Sequence, residues 1–106
     1  MKLGIIMNTN DPETAWNGLR LGNEALNGGN PTSLFLLGSG VEIVNIKSEA
    51  YDIAGVLDKF LGGGGNLLAC GTCLEDRHQA AGVCPVSTMP ELVAMISDSD
   101  KLVTFS

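Results

Sequence analysis

The sequence predicts an α/β fold: a three-layer αβα arrangement with a mostly parallel five-stranded sheet. Three observations lead there. Short apolar runs alternate with amphipathic stretches along all 106 residues, the pattern of βαβ units. The first run, Lys2–Asn8, is nearly continuously apolar, as suits a strand covered on both faces. Helix punctuation falls between the runs in the expected order, with polar caps before and glycines after.

The elements follow in turn. Asp11 is placed to cap the first helix, Pro12 suits its first position, and Gly28-Gly29 closes it. Trp16, Leu19 and Leu26 are its expected buried face. Pro31–Leu37 reads as the second strand, ended by Gly38-Ser39-Gly40. Val41–Ile46 reads either as a strand or as a short helix in a functional loop, and the loop is preferred because a βαβ crossover must still reach the next helix. Ser48 is the expected cap of the next helix, whose inner face is Ile53, Val56, Leu57, Phe60 and Leu61 at i, i+3, i+4, i+7 and i+8. Gly62–Gly65 ends it. Asn66–Ala69 is the third strand, Leu74–Ala81 a helix of one or two turns, and Val83–Val86 a fourth strand. Thr88 and Glu91 have capping-box spacing. Leu92, Met95 and Ile96 line the last helix, and Lys101–Phe105 is the closing strand. No repeat or linker interrupts this order, so residues 1–106 read as a single domain.

Composition narrows the function. The chain has 44% hydrophobic and 17% charged residues, an ordinary globular balance. Formal net charge is -6, with only six Lys and Arg spread singly, so direct nucleic-acid binding is not expected. Membrane attachment is not expected either: the apolar runs are too short to span a bilayer, and there is no basic amphipathic helix. The N-terminal segment lacks a signal-peptide pattern. With three cysteines, an odd number, the expected compartment is a reducing cytoplasm.

The chemistry concentrates in Cys70-Gly71-Thr72-Cys73, where a strand gives way to a helix. A thiol there meets the partial positive charge of unpaired helix N–H groups, which favours thiolate. In an open parallel sheet, sites form at the carboxyl ends of strands. The Asn8–Asp11 turn, the Gly38–Val41 loop and the cysteine turn are expected to converge at that edge. Three chemistries fit the residues. Cys70 is placed to accept sulfane sulfur as a persulfide, with Arg77 adding positive charge. Cys70 and Cys73 are spaced for a dithiol–disulfide switch. Cys70, Cys73, His78 and Cys84 run C-x2-C-x4-H-x5-C, ligand types that suit tetrahedral zinc, although an acidic chain able to bury its own core is an unlike context for a zinc knuckle. The plain alternative is that the cysteines are small buried hydrophobes, and that reading is preferred for Cys84. His78 reads as a surface residue. Gly62–Gly65 leads into a strand with no following Lys-Ser/Thr, so it is not a phosphate loop. No cofactor motif is found, and neither a cofactor nor a bound metal is expected.

The order of elements, Leu34-Phe35-Leu36-Leu37-Gly38-Ser39-Gly40-Val41, the Cys70–Arg77 segment and the ending from Ser87 to Phe105 resemble the DsrE/DsrF-like proteins. The resemblance covers essentially the whole chain. It implies a five-stranded, largely parallel sheet, assembly as a homotrimer or homohexamer, and relay of sulfur as a cysteine persulfide between donor and acceptor proteins. By the match, the sulfur-carrying cysteine falls on Cys70 and the family's Arg on Arg77. Cys73 stands outside the strict carrier pattern and resembles the homomeric members; it is expected to resolve or support the persulfide. The expected function is therefore a sulfur carrier more than an enzyme with its own turnover. The alternative is a homo-oligomeric small-ligand-binding or assembly module with structural or zinc-binding cysteines.

Overall fold

A computed structural model of the chain describes residues 1–78 and 85–106. Five strands form one parallel sheet: β1 (Leu3–Met7), β2 (Thr32–Leu36), β3 (Asn66–Cys70), β4 (Val86–Ser87) and β5 (Lys101–Phe105), in the order β4-β3-β2-β1-β5. Helices α1 (Pro12–Asn27), α2 (Ile53–Gly62), α3 (Gly71–Asp76) and α4 (Met89–Asp98) join them, with a 3-10 helix at Gly38–Asn45. The expected α/β class, with a parallel five-stranded sheet, is the observed one.

The strand order fixes where the helices lie. Steps β1 to β2 and β2 to β3 move the same way across the sheet, so right-handed crossovers put α1 and α2 on one face. The step from β4 back to β5 reverses direction and puts α4 on the other. Side chains follow this division. Ile5 and Met7 of β1 point to α1 and are fully buried, whereas Gly4 lies under Met95 and Ser99 of α4. Phe35 and Phe60 are also fully buried; each such side chain contributes about 2 kcal/mol of hydrophobic stabilisation.

Local chemistry explains most element bounds. Asp11 caps α1 by accepting from Thr14 N at 2.9 Å, with Pro12 in the first position. Thr88 caps α4 by accepting from Glu91 N at 3.3 Å. α2 departs from expectation: Asp52, not Ser48, is its cap, accepting from Gly55 N at 2.9 Å. Ser48 accepts instead from Ala50 N and Tyr51 N, both at 3.2 Å, closing a turn ahead of the helix.

Other bounds also shift. Val41–Ile46 is not a strand: it lies largely within the 3-10 helix, the short helix in a loop that the sequence favours, which begins earlier, at Gly38, and buries Val41 and Ile43. α3 starts at Gly71 and ends at Asp76, whereas Leu74–Ala81 was expected. It stops because Arg77 turns out of the helix and His78 takes a positive φ of 49°. Residues 79–84 lie outside the described residues, and with them Cys84, the end of the expected third helix and the start of the expected fourth strand. On α4, Leu92 and Met95 face the sheet as expected, but Ile96 is 41% exposed. On α1, Leu19 is fully buried, while Trp16 is half-buried at the rim, 5.1 Å from the Tyr51 ring and beneath the Arg20 guanidinium.

Candidate functional site

The carboxyl ends of β1, β2 and β3 meet at one edge of the sheet, and the three expected segments converge there. Leu37 N donates to Met7 O at 3.0 Å, tying the end of β2 to the end of β1. The 3-10 helix then begins so close to β1 that any side chain at Gly40 would strike the Met7 carbonyl oxygen. Gly38 holds a left-handed φ of 56° and lies against the Asn8 side chain; both constraints exclude a β-carbon.

That backbone turn aims a donor at the cysteines. Gly38 N donates to Cys73 Sγ at 3.2 Å. Cys70 ends β3 and serves as the N-cap of α3, and its side chain makes no capping hydrogen bond. Cys73 occupies the third helical position. In a capping box these two positions each reach back to the other's backbone; here both carry thiols, Cys70 at the N-cap and Cys73 one helical turn on. Cys70 is 3% exposed and Cys73 is half-buried, so the pair is reached from solvent along Cys73. Both are free thiols.

Electrostatics at Cys73 oppose a thiolate. Burial pushes the Cys73 thiol above its ordinary value, and the hydrogen bond with Cys70 adds to the rise. The Gly38 N–H and the Arg77 charge pull the other way without reversing it. Cys73 is therefore held as a neutral thiol near pH 7, where an anionic sulfur would lack enough compensation.

Arg77 stands over this region but is not aimed at Cys70. Its Nε lies 3.4 Å from Glu42 Oε2, and its Nη1 donates to Cys73 O at 3.4 Å. The ion pair joins the end of α3 to the 3-10 helix. Glu42 and the Gly38 N–H are the features that sequence reading missed. Glu42 had a signal, as an acidic residue in a segment expected at the same sheet edge as Arg77. The amide has none, because every residue but proline carries one. Beside Glu42 is a small crevice of about 230 Å³ that also involves Asn10, Pro12, Asn45, Ile46 and Lys47.

The other candidates separate from this cluster. Asn10 and Asp11 lie at the exposed mouth of the β1 turn, where Asp11 is occupied in capping. His78 is exposed, as expected. Of the four residues in zinc-like spacing, Cys84 lies outside the described residues; among those described, no group of three or more His, Cys, Asp or Glu is arranged to hold a metal ion. No helix among the described residues is long and apolar enough to cross a membrane.

Comparison with curated proteins finds no match. Comparison with family models gives a match over residues 1–105 to the model described as DsrE/DsrF-like, a family associated with sulfur relay. A match across essentially the whole chain, on a parallel α/β sheet with free thiols at its carboxyl edge, places this protein in the DsrE/DsrF-like family.

Proposed function

We propose that this chain is a sulfur-relay protein that holds sulfane sulfur as a persulfide on Cys70, with Cys73 and Arg77 as supporting residues. The observation that carries the reading is the pairing of Cys70 with Cys73 at the carboxyl edge of the sheet, in a family associated with sulfur relay. In the loading step, the Cys70 thiolate attacks the terminal sulfur of a persulfide or polysulfide donor. The donor's inner sulfur leaves as a thiolate, and no external oxidant is needed. Attack is assigned to Cys70 because it ends β3 at the N-cap of α3 with a side chain that makes no capping hydrogen bond, while burial keeps the proton on Cys73. Burial of Cys70 then shields a group that stray thiols and oxidants would consume. Arg77 offers a positive charge beside the pair for the anionic cargo.

The partners are a protein or polysulfide that supplies the sulfur and a protein thiol that receives it. Assembly into a homotrimer or homohexamer is part of the proposal. It is supported by an exposed apolar stripe, Met89, Val93 and Ile96 at i, i+4 and i+7 of α4, beside exposed Leu102 of β5. A cytoplasmic location is proposed from the two free thiols.

The test is polysulfide treatment followed at once by alkylation and peptide mapping. The expected result is a trapped persulfide on Cys70 that is missing in Cys70→Ser. A persulfide only on Cys73, or none, would overturn the assignment.

One observation favours a second reading, a small-ligand-binding module. Two open concavities of about 480 and 520 Å³ lie away from the thiols, and the first is lined by Asn23, whose buried Oδ1 has no hydrogen-bond partner. On that reading, neither cysteine substitution alters ligand uptake.

A further inference from the structure

The relay reading uses one thiol of the pair; the second has a consequence of its own. Cys73 is three residues from Cys70 and one helical turn away, at the position whose side chain approaches the N-cap. Cys70 gives no hydrogen bond to the helix, and the Gly38 N–H holds Cys73 Sγ in place at 3.2 Å. A sulfur atom added to Cys70 therefore sits within reach of a thiol already in position.

We infer that Cys73 resolves the Cys70 persulfide, so that the protein also reduces sulfane sulfur to hydrosulfide. The inference rests on the relay reading for the formation of that persulfide. In the step, Cys73 Sγ attacks Cys70 Sγ. The bond between Cys70 Sγ and the terminal sulfur breaks, and a Cys70–Cys73 disulfide forms. The proton of the Cys73 thiol passes to the departing sulfur, so that a persulfide anion and a thiol give a disulfide and HS⁻. The terminal sulfur gains two electrons, and each cysteine sulfur loses one. A dithiol reductant returns the disulfide to the starting pair, and the cycle then turns over.

The environment of Cys73 supports this division of labour. Burial keeps its proton in place, so the thiol carries the proton that the leaving sulfur requires. Attack from a held neighbour needs far less thiolate than attack from solution, because the reacting groups are already together. The same held proton slows the step and leaves the persulfide time to meet an acceptor. Relay and reduction are thus two exits from one intermediate, selected by whether an acceptor thiol arrives before Cys73 reacts.

The experiment uses the full chain, reduced, loaded with polysulfide and freed of excess reagent. Hydrosulfide release and intact mass are then followed in wild type and Cys73→Ser. The inference expects wild type to lose the added sulfur, release one hydrosulfide per persulfide, and end lighter than the reduced chain by two hydrogens. Cys73→Ser should keep its sulfur about tenfold longer or more, with no hydrosulfide. Adding dithiothreitol together with fresh polysulfide should make release repeat in wild type at a rate above the Cys73→Ser background. Wild type that keeps its sulfur as long as Cys73→Ser, or loses it without forming the disulfide, overturns the inference and leaves the relay reading standing. Failure of both proteins to take up sulfur overturns the relay reading and the inference with it.

Discussion

Two strand-to-helix turns lie at the same edge of the sheet, and they use the same spacing differently. After β1, the N-cap is Asp11, and Thr14 three residues on receives its bond: the Asp11 carboxylate accepts from both Thr14 N at 2.9 Å and Thr14 Oγ1 at 2.8 Å. After β3, the N-cap is Cys70, and Cys73 three residues on faces it, with no bond from the Cys70 side chain to the helix. The first turn starts a helix of 16 residues; the second starts one of 6. A capping side chain satisfies a backbone donor and is thereby unavailable for chemistry. A thiol caps weakly, and the Cys70 sulfur is not occupied by a bond to the helix backbone. The comparison teaches that one turn is spent on anchoring the fold, while the other leaves its side chain free for the chemistry proposed above.

Exchanging the thiol for a good cap should produce the largest effect. Cys70→Ser puts a preferred N-cap residue at the start of α3, so the protein is expected to keep its fold while sulfur loading is lost. Circular dichroism and mass spectrometry on the same sample check both halves. Loss of loading accompanied by unfolding would break the comparison, because Cys70 would then be structural.

Next is the backbone that holds Cys73. Gly38→Ala forces a β-carbon onto a φ of 56° and against Asn8. A cost of about 1–3 kcal/mol is expected by chemical denaturation. The displaced N–H should also raise the Cys73 pKa further, because that amide is one of the two influences lowering it. A pH series of Cys73 alkylation reads this. In the unaltered protein, alkylation of Cys73 should climb only above the ordinary thiol range, since burial holds the proton on.

Asp11→Ala tests the anchoring turn. Hydrogen bonds from Thr14, first from its backbone and then from its side chain, hold the Asp11 pKa below its ordinary value of 3.8. A carboxylate whose folded pKa is lowered stabilises the fold above its unfolded pKa, and the contribution is lost as pH falls through the folded one. Asp11→Ala is therefore expected to lower Tm at pH 7, to differ little from wild type in strong acid, and to load sulfur normally. A loading defect would mean that the two turns are not separable. The smallest effect belongs to Glu42→Gln, which releases Arg77 from its ion pair at 3.4 Å. The freed charge should speed Cys73 alkylation at neutral pH by a few-fold, with stability nearly unchanged, since a half-exposed pair contributes little.

Much of this architecture is legible in the chain because it is written in local chemistry. Asp11-Pro12, Thr88 and the glycines after α1 and α2 mark helix ends, and the apolar runs mark strands. The α3 start at Gly71 is hidden because Gly71 and Thr72 are poor helix formers, held helical by their position after β3. The 3-10 helix is legible as a short helix in a loop, but its start at Gly38 is hidden because it depends on the close approach of Gly40 to Met7 O, a contact between segments far apart in the chain. Ser48 was a plausible cap in sequence, yet Asp52 lies at the true helix start, and only the path of the chain decides between them. At the site, Cys70, Cys73 and Arg77 were legible as residue types. The Glu42 pairing, the Gly38 amide and the rise in the Cys73 pKa all depend on packing between elements.

The most direct test of the central claim is native mass spectrometry of polysulfide-treated Cys73→Ser beside Cys70→Ser. The account predicts one added sulfur atom retained by Cys73→Ser and none by Cys70→Ser, with both in the same assembly as wild type. Sulfur retained by Cys70→Ser, or by neither variant, would contradict it.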